Sequence, residues 1–245
     1  SKHRFTLTYQ GPKHPAGDAG VIGWVRDEFL PAVDARFEAA TGYDAFFYGN
    51  FAEGHTKWTT YPAEPWYGVA YRGLRGRVSV LTEAYAYATF EDRVKSTEAF
   101  CREVLREAAA RKAEIRALVD GADDRAAEAG RVGAALAVKT EARAFAEKAE
   151  LLGYEEYDEA GDRVEVELET AEPRSYALPV FNDFVATEVV ARPAAYVVPA
   201  GYGEVIDRLR AHGVRLHVVG EGGGGVVEAG VYRVVSVERS ERAWQ

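Results

Sequence analysis

An α/β fold in two parts follows from three features of this 245-residue chain. An alternating strand at 5–9 runs into a helix-forming stretch that starts at Asp18. An apolar strand at 77–83 is followed by a long amphipathic helix over 91–119. Past residue 131 the pattern changes to short strand-like runs around one helix, the mark of a smaller, strand-rich α+β domain. The length allows one large domain or two smaller ones and a sizeable core.

Phe5, Leu7 and Tyr9 alternate with Thr6 and Thr8, a strand by its period of two. Gly11-Pro12-Lys13-His14-Pro15-Ala16-Gly17 is a loop. Asp18 reads as the N-cap of a helix carrying Val21, Ile22, Val25, Phe29 and Val33. Pro31 ends or kinks that helix, and a further turn runs to about residue 40. The 46–76 stretch is dense in aromatics, Gly and Pro and shows no persuasive periodicity. A structureless segment of that length inside a compact domain is usually functional.

In the 91–119 helix, Val94, Ala99, Phe100, Val104, Leu105, Ile115 and Leu118 form the apolar stripe, and Cys101 is expected as a small buried thiol. The polar, small-residue run 121–131 reads as a linker, which divides the chain into 1–120 and 132–245. Beyond it 132–138, 164–168 and 231–237 read as strands, the middle one after a turn at 158–162. A helix at 204–212 lies between strands at 195–198 and 214–219. The Gly-rich 221–225 run is a flexible loop without the spacing of a phosphate-binding loop. Tyr176, Phe181, Phe184 and Tyr196 are expected in the core.

Composition narrows the function classes. Hydrophobic residues at 47% and charged residues at 28% are ordinary for a soluble globular protein. A net charge of -9 without a basic block argues against a nucleic-acid partner, whose phosphates demand clustered Lys and Arg. The single cysteine forms no internal disulfide. No apolar run approaches the ~20 residues of a membrane-spanning helix. The chain has no methionine and opens on a strand, so it is expected to be an internal piece of a longer protein.

Glu83 ends the apolar run Arg77-Val78-Ser79-Val80-Leu81-Thr82-Glu83. A carboxylate at the end of an α/β strand is a candidate general base, because ligands collect at that edge and burial there raises a carboxyl pKa. The structural alternative is a pair with Arg72, Arg75 or Arg77. Ahead of the strand, Tyr61, Tyr67, Tyr71, Trp58 and Trp66 lie among glycines and prolines. Rings that carry hydroxyls suit a pocket with apolar walls and one hydrogen-bonded ligand group. They also suit a packed Ω-like loop that merely covers the sheet.

Three pieces in order, Tyr61-Pro62-Ala63-Glu64-Pro65-Trp66-Tyr67-Gly68, Tyr71-Arg72-Gly73-Leu74-Arg75-Gly76-Arg77 and Leu81-Thr82-Glu83-Ala84-Tyr85, resemble the C-terminal half of a zinc-dependent metallocarboxypeptidase of the carboxypeptidase A-like family. The resemblance runs from Ser1 to about Leu118, and looser similarity continues through Pro193-Ala194-Ala195-Tyr196-Val197-Val198-Pro199. It implies a partial mixed-sheet αβα sandwich of the zinc exopeptidase type over 1–120. It implies that Glu83 takes and returns the proton of a zinc-activated water, and that a mobile substrate-binding tyrosine matches Tyr61 first and Tyr67 second. The implied substrate is a peptide with a free C-terminus, or an acyl-amino acid if the chain is an amidohydrolase on the same fold. A non-catalytic binding domain that has lost its metal is the third alternative.

The family's His-x-x-Glu pair does not occur in this chain. The resemblance therefore places the zinc ligands, and the carboxylate-binding arginine, upstream of Ser1, and assigns no metal ligand here. His3 is expected to be structural, His14 and His55 to be walls of the site, and His212 and His217 to be exposed. The 132–245 region is expected to be a structural appendage.

Overall fold

The computed structural model describes residues 2–157, 167, 171–220, 228–231 and 233–237, and the chain divides into compact units at 1–194 and 195–245. The first unit is mixed α/β with mixed sheets. Its opening strand β1 (Leu7–Gln10) is buried along its whole length. Two partners flank it in a three-stranded sheet: β2 (Ala45–Phe47) runs parallel, and β5 (Leu81–Ala84) antiparallel. A second sheet has the order β3 (Asn50–Phe51), β4 (Trp58–Thr59), β9 (Val180–Ala191), β6 (Ala135–Ala144). A two-stranded ribbon joins β7 (Ala149–Tyr154) to β8 (Pro173–Leu178).

The parallel β1/β2 pair requires a crossover, and a long helical segment supplies it. Asp18 caps α1 (Ala19–Trp24): its Oδ1 accepts from the Val21 amide at 2.9 Å, as its residue type predicts. A π turn, Val25–Phe29, then leads into α2 (Leu30–Thr41). The Leu30 amide donates to the Val25 carbonyl, one residue wider than in an α-helix. Pro31 explains the wide turn, because it has no N–H to give and its ring crowds the carbonyl of Asp27. The expected interruption at Pro31 is thus a widened turn that leaves the helix continuous.

The 46–76 stretch is more regular than its composition predicts. Besides β3 and β4 it holds a short 3₁₀ turn, Glu53–His55, and the helix α3 (Gly68–Leu74). Its order comes from packing: Trp58 is fully buried and its indole N–H donates to the Phe47 carbonyl at 3.1 Å. Gly49 makes that contact possible, since a Cβ there would sit 2.3 Å from the indole nitrogen.

The long helix is two, α4 (Phe90–Ala110) and α5 (Lys112–Arg131), with Arg111 non-helical between them. The expected linker 121–131 is therefore the last half of α5, and its alanines favour a helix over a flexible joint. On α4 the buried stripe is Ser96, Ala99, Phe100, Glu103 and Glu107. Val94 and Leu105, placed in the stripe from sequence, are exposed, and so is Cys101, turned about 100° from Phe100 around the axis. Carboxylates hold two inward positions because arginines neutralise them: Arg36 reaches Glu107 at 3.1 Å and Arg106 reaches Glu103 at 2.6 Å.

The 132–194 segment is not a separate appendage in this arrangement, since β9 pairs with β4 through Trp58↔Val180 and Thr59↔Phe181. The strand expected at 132–138 begins later, at Ala135. Phe184 is buried and Tyr176 packs against the second core with Phe5, Phe51 and Trp58, whereas Tyr196 is exposed. In the second unit the helix α6 (Gly203–Ala211) forms as expected, with no buried residue. Residues 195–198, 214–219 and the described part of 231–237 form no strand, and Val218, Val219, Val234 and Val235 are exposed. Alternating valines make a strand only where an edge and an apolar face are there to receive them. The expected turn at 158–162, strand at 164–168 (Glu167 apart) and loop at 221–225 lie outside the described residues. Among the described residues no helix is long and apolar enough to cross a membrane.

The phase of α4 is testable. Phe100→Ala is expected to lower unfolding free energy by about 3–5 kcal/mol, while Leu105→Ala stays within about 0.5 kcal/mol. Urea denaturation of the two variants checks this, and equal losses would return Leu105 to the core.

Candidate functional site

Pairing in the three-stranded sheet decides where Glu83 points. Directly opposed residues share a face, and the faces alternate along each strand. Thr82 and Ala84 oppose Tyr9 and Leu7, whose side chains enter the core with Phe37 and Phe100. Leu81 and Glu83 oppose Gln10 and Thr8 and therefore project from the other face. There they open on a cleft of about 550 Å³ lined by Tyr48, Tyr61, Tyr67, Gly68, Val69, Arg72, Ser79, Val80, Leu81 and Glu83. The cleft thus brings together Glu83, Tyr61 and Tyr67.

Glu83 is not at the end of a buried strand. Only Leu81–Ala84 pairs, and Glu83 is the exposed residue of an edge strand. Its carboxylate makes no ion pair or side-chain hydrogen bond among the described residues. The arginines that might have held it are otherwise placed. Arg77 is bidentate with Asp123, at 2.7 and 2.9 Å, and Arg75 donates to the Tyr71 hydroxyl at 3.4 Å. Arg72 lines the cleft without pairing with Glu83. One carboxylate and one guanidinium therefore share the cleft as separate charges.

The tyrosines form its aromatic wall. The Tyr48 and Tyr61 rings meet edge to face with centroids 5.3 Å apart, and Tyr61 and Tyr67 lie at 4.6 Å. Burial raises the Tyr48 phenol above its ordinary value, and the negative charge of Glu83 adds to this. Burial raises the Tyr61 phenol further, with smaller contributions from Tyr48 and Tyr67. The Tyr61 hydroxyl is buried and has no hydrogen-bond partner among the described residues. Tyr67 precedes α3, and its carbonyl accepts from the Tyr71 amide at 2.8 Å.

Lys13 supports this wall from behind. It is buried, 4% exposed, in the loop that follows β1. Its ammonium lies 3.4 Å from the Tyr61 ring centroid, donates to the Tyr61 carbonyl at 2.7 Å and to Thr60 Oγ1 at 3.2 Å. The Phe184 ring is 4.9 Å away on the β9 side. Burial pulls its pKa down to about 7.

The histidines stand apart from the cleft. His14 and His55, expected as site walls, do not line it. The His14 Nδ1 accepts from the Ala16 amide at 3.0 Å, and burial lowers its pKa. His55 Nε2 lies 3.1 Å from Glu156 Oε2, both side chains being buried. His3 is buried against the Tyr85 ring, centroids 4.2 Å apart, and burial lowers its pKa to about 4. His212 and His217 are exposed. Among the described residues no three His, Cys, Asp or Glu side chains are grouped to hold a metal ion, so they form no zinc site of their own.

Tyr48 and Lys13 escape a sequence reading, because each joins the cleft only through pairing or loop packing. Arg72 was visible there only as a possible partner for Glu83. No protein-family model matches the chain, and neither a curated protein nor a solved structure is similar to it.

Two outcomes follow. Tyr61→Phe removes a buried hydroxyl without a partner, so thermal unfolding is expected at the same or a higher temperature than wild type. A clear loss of stability would reveal a hydrogen bond there. For Lys13 the folded-state pKa of about 7 lies below the unfolded value, so between these pH values only the unfolded chain binds the proton. The penalty for burying the charge is in full force below about pH 7 and lifts as pH rises toward 10.5. The stability of wild type relative to Lys13→Met should climb across that window, as read by denaturant titration at stepped pH. A flat difference would place the ammonium in water.

Proposed function

We propose that this chain supplies the peptide-facing cleft of a zinc metallocarboxypeptidase, with Glu83 as the proton-transferring carboxylate. The observation that supports this reading is the meeting of Glu83, Tyr61 and Tyr67 on one cleft, with no cation among the described residues paired to the carboxylate. A base must have its lone pairs within reach of a reacting molecule, and a carboxylate clamped by arginine is a poor one. The three-stranded mixed sheet with α2 and α4 on one face supports a general α/β fold, and in this reading it would be one sheet and one helical layer of the αβα sandwich.

In this reading a peptide with a free C-terminus lies along the tyrosine wall. Glu83 takes a proton from the hydrolytic water and returns it to the leaving amine, so the carboxylate is unchanged over a cycle. The Tyr67 hydroxyl donates to the peptide without adding charge, and the buried Tyr61 hydroxyl does so once its ring turns into the cleft. Arg72 offers a guanidinium to an anionic group of the substrate. Among the described residues no three His, Cys, Asp or Glu side chains are grouped to hold a metal ion, and in this reading the zinc ligands belong to a part of the protein beyond them. A second reading, a peptide-binding domain without catalysis, uses the same aromatic cleft and requires that the parent protein itself lack zinc ligands.

The test is hydrolysis of N-blocked dipeptides by this chain joined to the segment that carries the ligands. Glu83→Gln is expected to lower kcat by about a hundredfold or more, the size of a general-base effect, with zinc content unchanged by metal analysis. Near-normal turnover in that variant removes Glu83 from the chemistry. Saturable peptide binding without turnover in the wild type favours the binding reading.

A further inference from the structure

We propose that Lys13 is a positioning residue which clamps Tyr61 into the wall of the cleft and releases it on losing its proton. The inference rests on the reading of the cleft as a substrate site. A clamp needs a rigid base, and Lys13 has one. It follows β1 directly, and Gly11, Pro12 and His14 on either side are buried as well. Pro12 is wedged against α3, where a Cβ at Gly73 would come within 2.5 Å of it.

From this base the ammonium grips one residue in two ways. It bonds the Tyr61 carbonyl at 2.7 Å, holding the main chain, and sits 3.4 Å from the ring centroid, holding the side chain. A cation on an aromatic face is worth more when desolvated, as here, than at the surface. The opposing effect is burial itself, which brings the ammonium to about 7, so neutral pH divides the clamped and released forms. Loss of the proton removes the ion–ring attraction and leaves a neutral amine on the same two oxygens. Among the described residues the Tyr61 hydroxyl has no partner to resist rotation of the ring, so release reaches the cleft.

Among the described residues, few other titratable and charged groups face Lys13. His14 is on its own loop and Tyr61 on the clamped segment. Arg26, from the π turn, and Asp183, from β9, line the same small cavity as Lys13. Arg26 and Asp183 pair with each other at 3.2 Å, Arg26 also with Asp27 and Asp183 also with Arg143. No carboxylate pairs with Lys13 among the described residues.

The experiment is NMR of the chain with ¹³C-labelled tyrosine rings, titrated from about pH 5 to 9, with the Tyr61 signal assigned from Tyr61→Phe. In wild type and in His14→Gln the Tyr61 ring is expected to titrate with a midpoint near 7. In Lys13→Met, and in Lys13→Arg whose charge persists, that transition should vanish. Amide exchange across 61–67 should be roughly tenfold faster in Lys13→Met, the scale of one desolvated cation–π contact. The clamp is refuted if Tyr61 is flat through neutral pH in wild type, keeps its transition in Lys13→Arg, or loses it in His14→Gln. None of these readouts needs peptide or zinc, so a failed Glu83 assay and a failed clamp are told apart.

Discussion

Complete burial of β1 is the constraint on which the rest of the first unit depends. Four consecutive buried residues leave neither face free, so each neighbour must cover one side or pair with one edge. Leu7 and Tyr9 draw α2 and α4 onto one face, where the Tyr9 ring stacks on Phe100 and its hydroxyl donates to Asp34. Each large apolar side chain buried this way contributes about 1.5–3 kcal/mol. The other face, with Thr8 and Gln10, receives the segment that runs from β2 to the tyrosines. The edge strand β5 completes the division. Its alternate residues go to the helices, and Glu83 goes to the open side.

The same strand governs the electrostatics of the cleft, because its continuation carries Lys13 into the interior. Surface charges in this molecule are mostly paired, as Arg77 is with Asp123 and Arg125 with Asp18, and such exposed pairs add little to stability. Glu83 and Arg72 line one cleft without pairing with each other. An unpaired Tyr61 hydroxyl at its wall is likewise costly without a partner. Groups left unsatisfied by the fold are the ones able to bind something else.

Strong local signals in the sequence persist in the structure. Asp18 has the residue type of an N-cap and caps; Pro31 perturbs its helix; the helix at 204–212 forms within a residue of its expected bounds. Readings that needed a partner fared worse. Val94 and Leu105 have the spacing of an inward stripe, yet a rotated set that includes two carboxylates is buried instead. The run 121–131 looked like a linker because it is small and polar, but alanine-rich small residues also prolong a helix. Valine-rich runs near the C-terminus satisfied a strand pattern but, among the described residues, pair with no strand.

Residue chemistry alone therefore determined the α/β class, the capped helix after the first strand, and a short set of candidate site residues. Those properties reside in single residues and their immediate neighbours. Tertiary packing decided that Glu83 faces a cleft and lies on an exposed edge strand, that Tyr48 and Arg72 join it, and that a lysine stands behind Tyr61. Each of these depends on strand register and loop burial between positions far apart in the chain, and local periodicity carries no information about such pairings.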